Sequence, residues 1–151
     1  MLNYVHGDII SNINPNEKTV IAHGCNCIHV MNAGLAKYLR LNYKGVYEAD
    51  LKTMRADKNK LGTYSVYKHS ENLVFLNCYT QFGIFSIRNI SPFHYDALNR
   101  CLIRIAENYG DWKIRLPKIG LKLAKGNWDV IEKNIEMISN RYNLDVTIYI
   151  K

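Results

Sequence analysis

No stretch of this 151-residue chain is apolar over the length a helix needs to cross a bilayer, which argues against a membrane protein. No basic segment leads into an apolar run behind Met1 to His6, so no signal peptide is expected either. Acidic residues are the scarcer charge. Thirteen Asp and Glu against twenty Lys and Arg give a formal charge of +7, which favours anionic partners, nucleotide-like ligands or nucleic acid, and says nothing about fold. Cysteine is sparse and badly placed for metal. Cys25 and Cys27 are too close to match a structural zinc knuckle, and His6, His29, His69 and His94 are scattered without ligand spacing. Buried reduced thiols, an intracellular cytoplasmic setting, and neither metal nor cofactor are therefore expected. Internal repeats and low-complexity tracts are also missing. At 48% hydrophobic residues, the chain is the size of one domain, 1–151, with one sizeable core.

Strand and helix patterns alternate along the chain. Leu2 to Val5 reads as a short strand ending at His6-Gly7-Asp8, and Thr19 to His23 as a β-branched central strand after the turn Asn14-Pro15-Asn16. From Gly34, the residues Leu35, Ala36, Tyr38, Leu39 and Tyr43 fall on one helical face. A second helical piece runs from Val46 to Met54, and Asp57 to Gly62 is a polar connection into the strand Thr63 to Tyr67. Leu73 to Tyr79 is a continuous apolar strand, as expected for burial on both faces, and it turns polar at Thr80-Gln81-Phe82-Gly83. Helical spacing resumes over Tyr95 to Tyr109 and stops at Gly110. Trp112 to Leu116 is a strand, Trp128 to Tyr142 a long helix, and Val146 to Ile150 a closing strand. This order predicts an α/β domain, a mixed sheet between helical layers. In such sheets ligands bind beyond the strand C-terminal ends. The segments His23 to Gly34, Gln81 to Gly83 and Gly120 to Gly126 all lie where strands finish, and are expected to meet in one crevice.

The richest segment chemically is Ile21-Ala22-His23-Gly24-Cys25-Asn26-Cys27 with Met31-Asn32-Ala33-Gly34-Leu35-Ala36 behind it. Small residues opening a helix expose backbone N–H groups to a phosphate. In its motifs the chain resembles the macrodomains, which bind ADP-ribose and its derivatives. Gly7-Asp8, followed by Ile9, resembles the family's early Gly-Asp pair, whose aspartate accepts from the adenine amino group. Asn26 resembles the ribose-contacting asparagine, and Asn32-Ala33-Gly34-Leu35-Ala36 the first phosphate loop. Leu116-Pro117-Lys118-Ile119-Gly120, with Gly126-Asn127-Trp128, resembles the second loop and its helix. The resemblance implies a three-layer α/β/α macrodomain with a central mixed sheet. It also implies a substrate-binding set of Gly7, Asp8, Ile9, Asn26, Met31, Asn32, Ala33, Gly34, Leu35, Thr80, Gln81, Phe82, Lys118, Ile119, Gly120, Leu121, Lys122 and Leu123.

His23 resembles the histidine of the ADP-ribose 1″-phosphate phosphatase branch, which has compact and phage-encoded members, and the resemblance implies a catalytic role for it. A related branch removes ADP-ribose from acidic side chains or DNA bases with a lysine after the fourth strand. Here that region reads Tyr79-Thr80-Gln81, and the region of that branch's loop aspartate reads Leu123-Ala124-Lys125. Lys122 stands where the family usually has glycine, either clashing with a pyrophosphate or reaching it.

Chemistry independent of the family supports the same roles. Hydrolysing a phosphate monoester requires charge neutralisation, an aligned nucleophile and a protonated leaving oxygen. Loop amides, Lys122 and Lys125 suit the first need. An imidazole such as His23 can serve as acid or base, or as nucleophile. Asn26 suits a ribose hydroxyl, and Phe82 or Tyr149 could stack on adenine. Each residue also has a plainer role: His23 a satisfied core histidine, Asn26, Asn32 and Asp8 turn formers, Trp128 a core anchor. Three functions therefore stand side by side: an ADP-ribose 1″-phosphate phosphatase, an ADP-ribosyl hydrolase on protein or DNA adducts, and a non-catalytic ADP-ribose reader. The expected partner is ADP-ribose or its 1″-phosphate. Neither membrane nor nucleic acid is expected as a partner, since no basic helix or aromatic RNA platform is apparent, and the chain is expected to be monomeric.

Overall fold

The computed structural model describes residues 2–84, 86, 88–89, 92–120 and 124–151. Six strands form one sheet: β1 (Leu2–His6), β2 (Thr19–Asn26), β3 (Tyr64–Ser70), β4 (Leu73–Gln81), β5 (Lys113–Pro117) and β6 (Asp145–Ile150). Their order across the sheet is β1-β6-β5-β2-β4-β3. Every neighbouring pair is parallel except β3 and β4. The C-terminal ends of β1, β6, β5, β2 and β4 therefore share one edge of the sheet. The four helices are α1 (Gly34–Asn42), α2 (Lys44–Leu51), α3 (Tyr95–Tyr109) and α4 (Trp128–Arg141), and a 3-10 turn occupies Lys58–Lys60.

Alternation along the strands builds a core on each face of the sheet. Val20 and Ala22 of β2, Leu76 and Cys78 of β4, Ile114 and Leu116 of β5, and Val146 and Ile148 of β6 pack against Leu98, Leu102 and Ile105 of α3 and Ile131, Ile135 and Ile138 of α4. On the opposite face Ile21, Cys25 and Phe75 pack against Leu39 of α1 and Val46 of α2. Each such aliphatic side chain contributes about 1.5–3 kcal/mol on burial, so the three layers are held chiefly by these two clusters. All four cysteines are free and buried. Among the described residues no helix is long and apolar enough to cross a membrane.

Several boundaries differ from the sequence expectation for a physical reason. β2 continues three residues past His23 because it follows β4 in parallel register, with a bulge between Cys25 and Asn26. α2 begins at Lys44, directly against α1, and ends at Leu51, before Met54. The polar connection contains the 3-10 turn, entered through Asp57, whose carboxylate accepts from the Asn59 N–H at 2.9 Å.

Candidate functional site

The loops at the strand C-terminal edge are knit together by backbone hydrogen bonds. The Cys27 N–H donates to Phe82 O at 2.8 Å, joining the β2 and β4 loops, and the Phe93 N–H donates to Ala124 O at 3.1 Å. The Gly126 N–H closes the loop after β5 by donating to Gly120 O at 2.6 Å, and the Gly7 N–H donates to Ile150 O at 2.8 Å. The described parts of the segments expected to converge, from Asn26 onward in the first of them, thus lie along one edge.

Asn26 is buried at the end of β2 and organises the following loop. Its Oδ1 accepts from the N–H groups of Ile28 (3.0 Å) and Val30 (3.2 Å), while Nδ2 donates to Val30 O at 2.8 Å. Both ends of the amide are spent within the loop, which is the asparagine turn chemistry. Met31 is buried beneath this loop beside Ile9, whereas Asn32, Ala33 and Gly34 are exposed and Leu35 is half-buried. Ala33 is the extended residue before α1 and makes no side-chain capping bond. No side chain caps the first-turn N–H groups of α1, which leaves them available to an anion.

At the end of β1, Gly7 and Asp8 are half-buried. The Asp8 Oδ1 accepts from the Ile10 N–H at 3.0 Å, and Oδ2 lies 3.5 Å from the Lys151 ammonium. Asp8 and Tyr149 line one cleft of about 400 Å³ with Val5, His6, Gly7, Ser11, Asn12 and Arg115. Of the two aromatic candidates, Tyr149 shares that cleft with Asp8. Phe82 lies at the β4 end under the Lys58 ammonium, 5.5 Å from its ring centre. Thr80 is buried, and Gln81 turns back to donate to Gly83 O at 2.7 Å. Lys118 is exposed and sits 5.4 Å over the Trp128 ring, while Ile119 is buried in the α3/α4 core. Gly120 carries φ +133°. Leu121, Lys122 and Leu123 lie outside the described residues.

His23 is placed elsewhere. It is only 2% exposed, on the sheet face covered by α1 and α2. Its Nε2 lies 2.6 Å from Asn77 Oδ1, and Asn77 Nδ2 donates to Val46 O of α2 and to Ser65 Oγ, both at 2.9 Å. The Cys25 sulfur lies 3.5 Å from the same ring nitrogen. Burial pushes the imidazole below its ordinary value of 6.5, outweighing the Asn77 bond and the negative charge of Asp50, which both act the other way. The Cys25 thiol is pushed well up by burial and then by Asp50, and burial lifts Cys27 to about 11. Neither is a ready thiolate nucleophile. A neutral buried histidine has a sign-specific consequence. The unfolded chain takes up a proton near pH 6.5 that the folded chain refuses. This part of the stability is fully present above that pH and is expected to be lost as pH falls below it. Denaturant midpoints measured downward through about pH 6.5 should show this, and His23→Gln should flatten the dependence.

Sequence reasoning passed over Arg115, Gly24 and Phe93. A Cβ on Gly24 would lie 2.8 Å from Thr80 Oγ1 and 3.0 Å from Ile119, so the absence of a side chain there lets the end of β4 and the loop after β5 pack against β2. Only the alternation of β5 could have flagged Arg115, since its neighbours Ile114 and Leu116 face the α3/α4 core. Among the described residues no group of three His, Cys, Asp or Glu side chains is placed to hold a metal ion.

A parallel-rich sheet with helices on both faces and small-residue loops at one edge defines an α/β class of protein, and comparison with known proteins narrows it. The chain matches no protein-family model. It is 35% identical over 153 residues to the uncharacterized 17.5 kDa protein in the tk-vs intergenic region of Enterobacteria phage T4, covering 95% of this chain and 94% of that protein. It is 35% identical over 49 residues to the ADP-ribose 1″-phosphate phosphatase of Scheffersomyces stipitis, a match that spans 31% of this chain and 28% of that enzyme. A Bacteroides thetaiotaomicron protein of unknown function superposes with TM-score 0.86 at 26% identity over 100% of this chain and 98% of that one. The macrodomain of Mycobacterium tuberculosis DarG gives TM-score 0.77 at 20% identity, over 100% and 98%. Thermosipho africanus DarTG, solved in complex with ADP-ribose, gives 0.77 at 21% identity over 99% of this chain and 41% of its own. The chain has the macrodomain fold, and by sequence it belongs to the same family as the phage T4 protein.

Proposed function

We propose that this chain binds ADP-ribose in the crevice at the strand C-terminal edge and hydrolyses ADP-ribose 1″-phosphate to ADP-ribose and phosphate. The observation that carries the binding half is the meeting of the β1, β2, β4 and β5 loops at one edge, with the uncapped start of α1 among them. The segment shared with a protein named as a phosphatase supports the hydrolytic half. In this reading Asp8 accepts from the adenine amino group. The exposed loop Asn32 to Gly34 and the loop after Lys118 hold the phosphates through backbone N–H groups. Water attacks phosphorus, the bond from phosphorus to the 1″-oxygen breaks, and that oxygen takes up a proton.

The position of His23 favours a second reading, in which the chain binds ADP-ribose without turning it over. An imidazole buried and held by Asn77 on the α1/α2 side of the sheet is set back from the exposed loops, so in this reading it acts only by positioning β2. Calorimetric titration with ADP-ribose, run beside inorganic phosphate release from ADP-ribose 1″-phosphate, separates the two. Binding with release is expected, binding without release makes the protein a reader, and no binding overturns both.

A further inference from the structure

We propose that Arg115 is a positioning residue that sets base selectivity at the Asp8 end of the crevice. The inference rests on the ADP-ribose reading given above. Arg115 lies on β5, and because Ile114 and Leu116 face the α3/α4 core, its side chain emerges on the opposite face. There it crosses the neighbouring strand β6. Its Cζ lies 4.8 Å from the centre of the Tyr149 ring. Beyond that ring, Nη1 donates to Ile9 O at 2.9 Å and Ser11 O at 2.6 Å, and Nη2 donates to Asn12 O at 3.1 Å. One guanidinium thus fastens three successive parts of the chain that leaves β1 and lies against an aromatic ring at the same time.

That chain segment is the one that carries Asp8. Its own turn is tight, with the Ser11 N–H donating to Asp8 O at 2.9 Å, the Ile10 N–H donating to the Asp8 carboxylate, and Asn12 at φ +54°. Arg115 therefore fixes the distance between the Asp8 carboxylate and Tyr149 across the cleft they share. Planarity and multiple donors matter here. A guanidinium can lie against a ring while bonding several carbonyls in its plane, whereas an ammonium is a point donor that would have to abandon the ring or some of the carbonyls. A base carrying an exocyclic amine is selected only while the acceptor is held at the correct depth beside the ring. Once the loop is released, Asp8 accepts from water as readily as from a base.

The test compares affinities for ADP-ribose and for its hypoxanthine analogue, which has a carbonyl in place of the amine, in the parent protein, Arg115→Lys and Arg115→Gln. The parent is expected to prefer ADP-ribose by about tenfold or more, the effect of one hydrogen bond to a charged group. Both variants should remain folded and lose most of that preference, through weaker binding of ADP-ribose alone. The Gln variant keeps an amide donor and provides the result if the Lys variant fails to fold. Equal weakening towards both ligands would make Arg115 merely structural and overturn the inference, as would an unchanged preference. A parent protein that binds neither ligand would sink the ADP-ribose reading itself, a result distinct from an unchanged ratio.

Discussion

Replacing Asp50 with alanine is expected to lower the unfolding free energy by about 1–3 kcal/mol, the cost of leaving a buried donor without its charged acceptor. Asp50 on α2 is 1% exposed and Lys60 in the 3-10 turn is 7% exposed, so two formal charges sit inside the α1/α2 layer. Tyr79 links them. Its hydroxyl donates to Asp50 Oδ1 at 2.7 Å and meets Ser65 Oγ at 2.8 Å, while the Lys60 ammonium lies 4.4 Å from the centre of its ring and 3.4 Å from Cys27 O. Burial, reinforced by the Asp50 carboxylate and opposed by the bonds to Ser65 and Thr53, drives the Tyr79 phenol well above its ordinary range, so it stays a neutral donor. In Asp50→Ala the ammonium keeps its ring and its carbonyl but loses the compensating anion, and the phenol loses its acceptor. Asp50→Asn keeps an acceptor and should cost less. Adding Lys60→Met to Asp50→Ala should recover part of the loss, because the uncompensated cation is then gone as well. A denaturant double-mutant cycle reads this coupling. If the single and double variants are equally unstable, the two charges do not see each other.

Local pattern carried far in this chain. The helix Tyr95–Tyr109 has the limits its 3.6-residue period and Gly110 predict, because its stop is written in adjacent residues. The convergence of loops also followed from strand and helix alternation alone. Partners that meet only in three dimensions could not be read. Asn77 sits in what looks like an uninterrupted apolar run, and its pairing with His23, 54 residues away, is a product of parallel register. Lys60 belongs to a segment whose composition is that of a solvated loop, yet it is buried, with its ammonium over the ring of a tyrosine on β4 and bonded to Cys27 O. His23 shows the same limit at the candidate site. A histidine near a strand end reads as a group facing the ligand, but β2 runs three residues further, and alternation turns His23 into the layer below. Asn26 ends that extension, and both sides of its amide are occupied by the loop that follows.

Gly120→Val is expected to weaken ADP-ribose binding by roughly 100-fold, about 2.8 kcal/mol, while leaving the core assembled. At φ +133° the backbone of Gly120 is in a region that side chains avoid, and forcing one into it costs about 1–3 kcal/mol. Space is short as well: a Cβ would lie 2.7 Å from Ile131 Cδ1 and 3.1 Å from the Phe93 ring. The tip of Ile131 can turn aside, but the backbone strain remains, and the Phe93 ring stands on a segment bridged to Gln81 and bonded through its N–H to Ala124 O. The strain is instead relieved by opening the Gly120–Gly126 neck, the 2.6 Å bond that shapes the turn leading into α4. Gly34→Ala is the informative comparison. Gly34 also has positive φ, +57°, but a Cβ there meets nothing within 4 Å. Backbone strain of about 1–2 kcal/mol is then the whole penalty, and the loss of affinity should be correspondingly smaller. Titration of both variants, with near-ultraviolet circular dichroism to show that the aromatic core is intact, tests the ranking. A Gly120→Val protein that binds ADP-ribose as tightly as its parent would remove the loop after β5 from the ligand site.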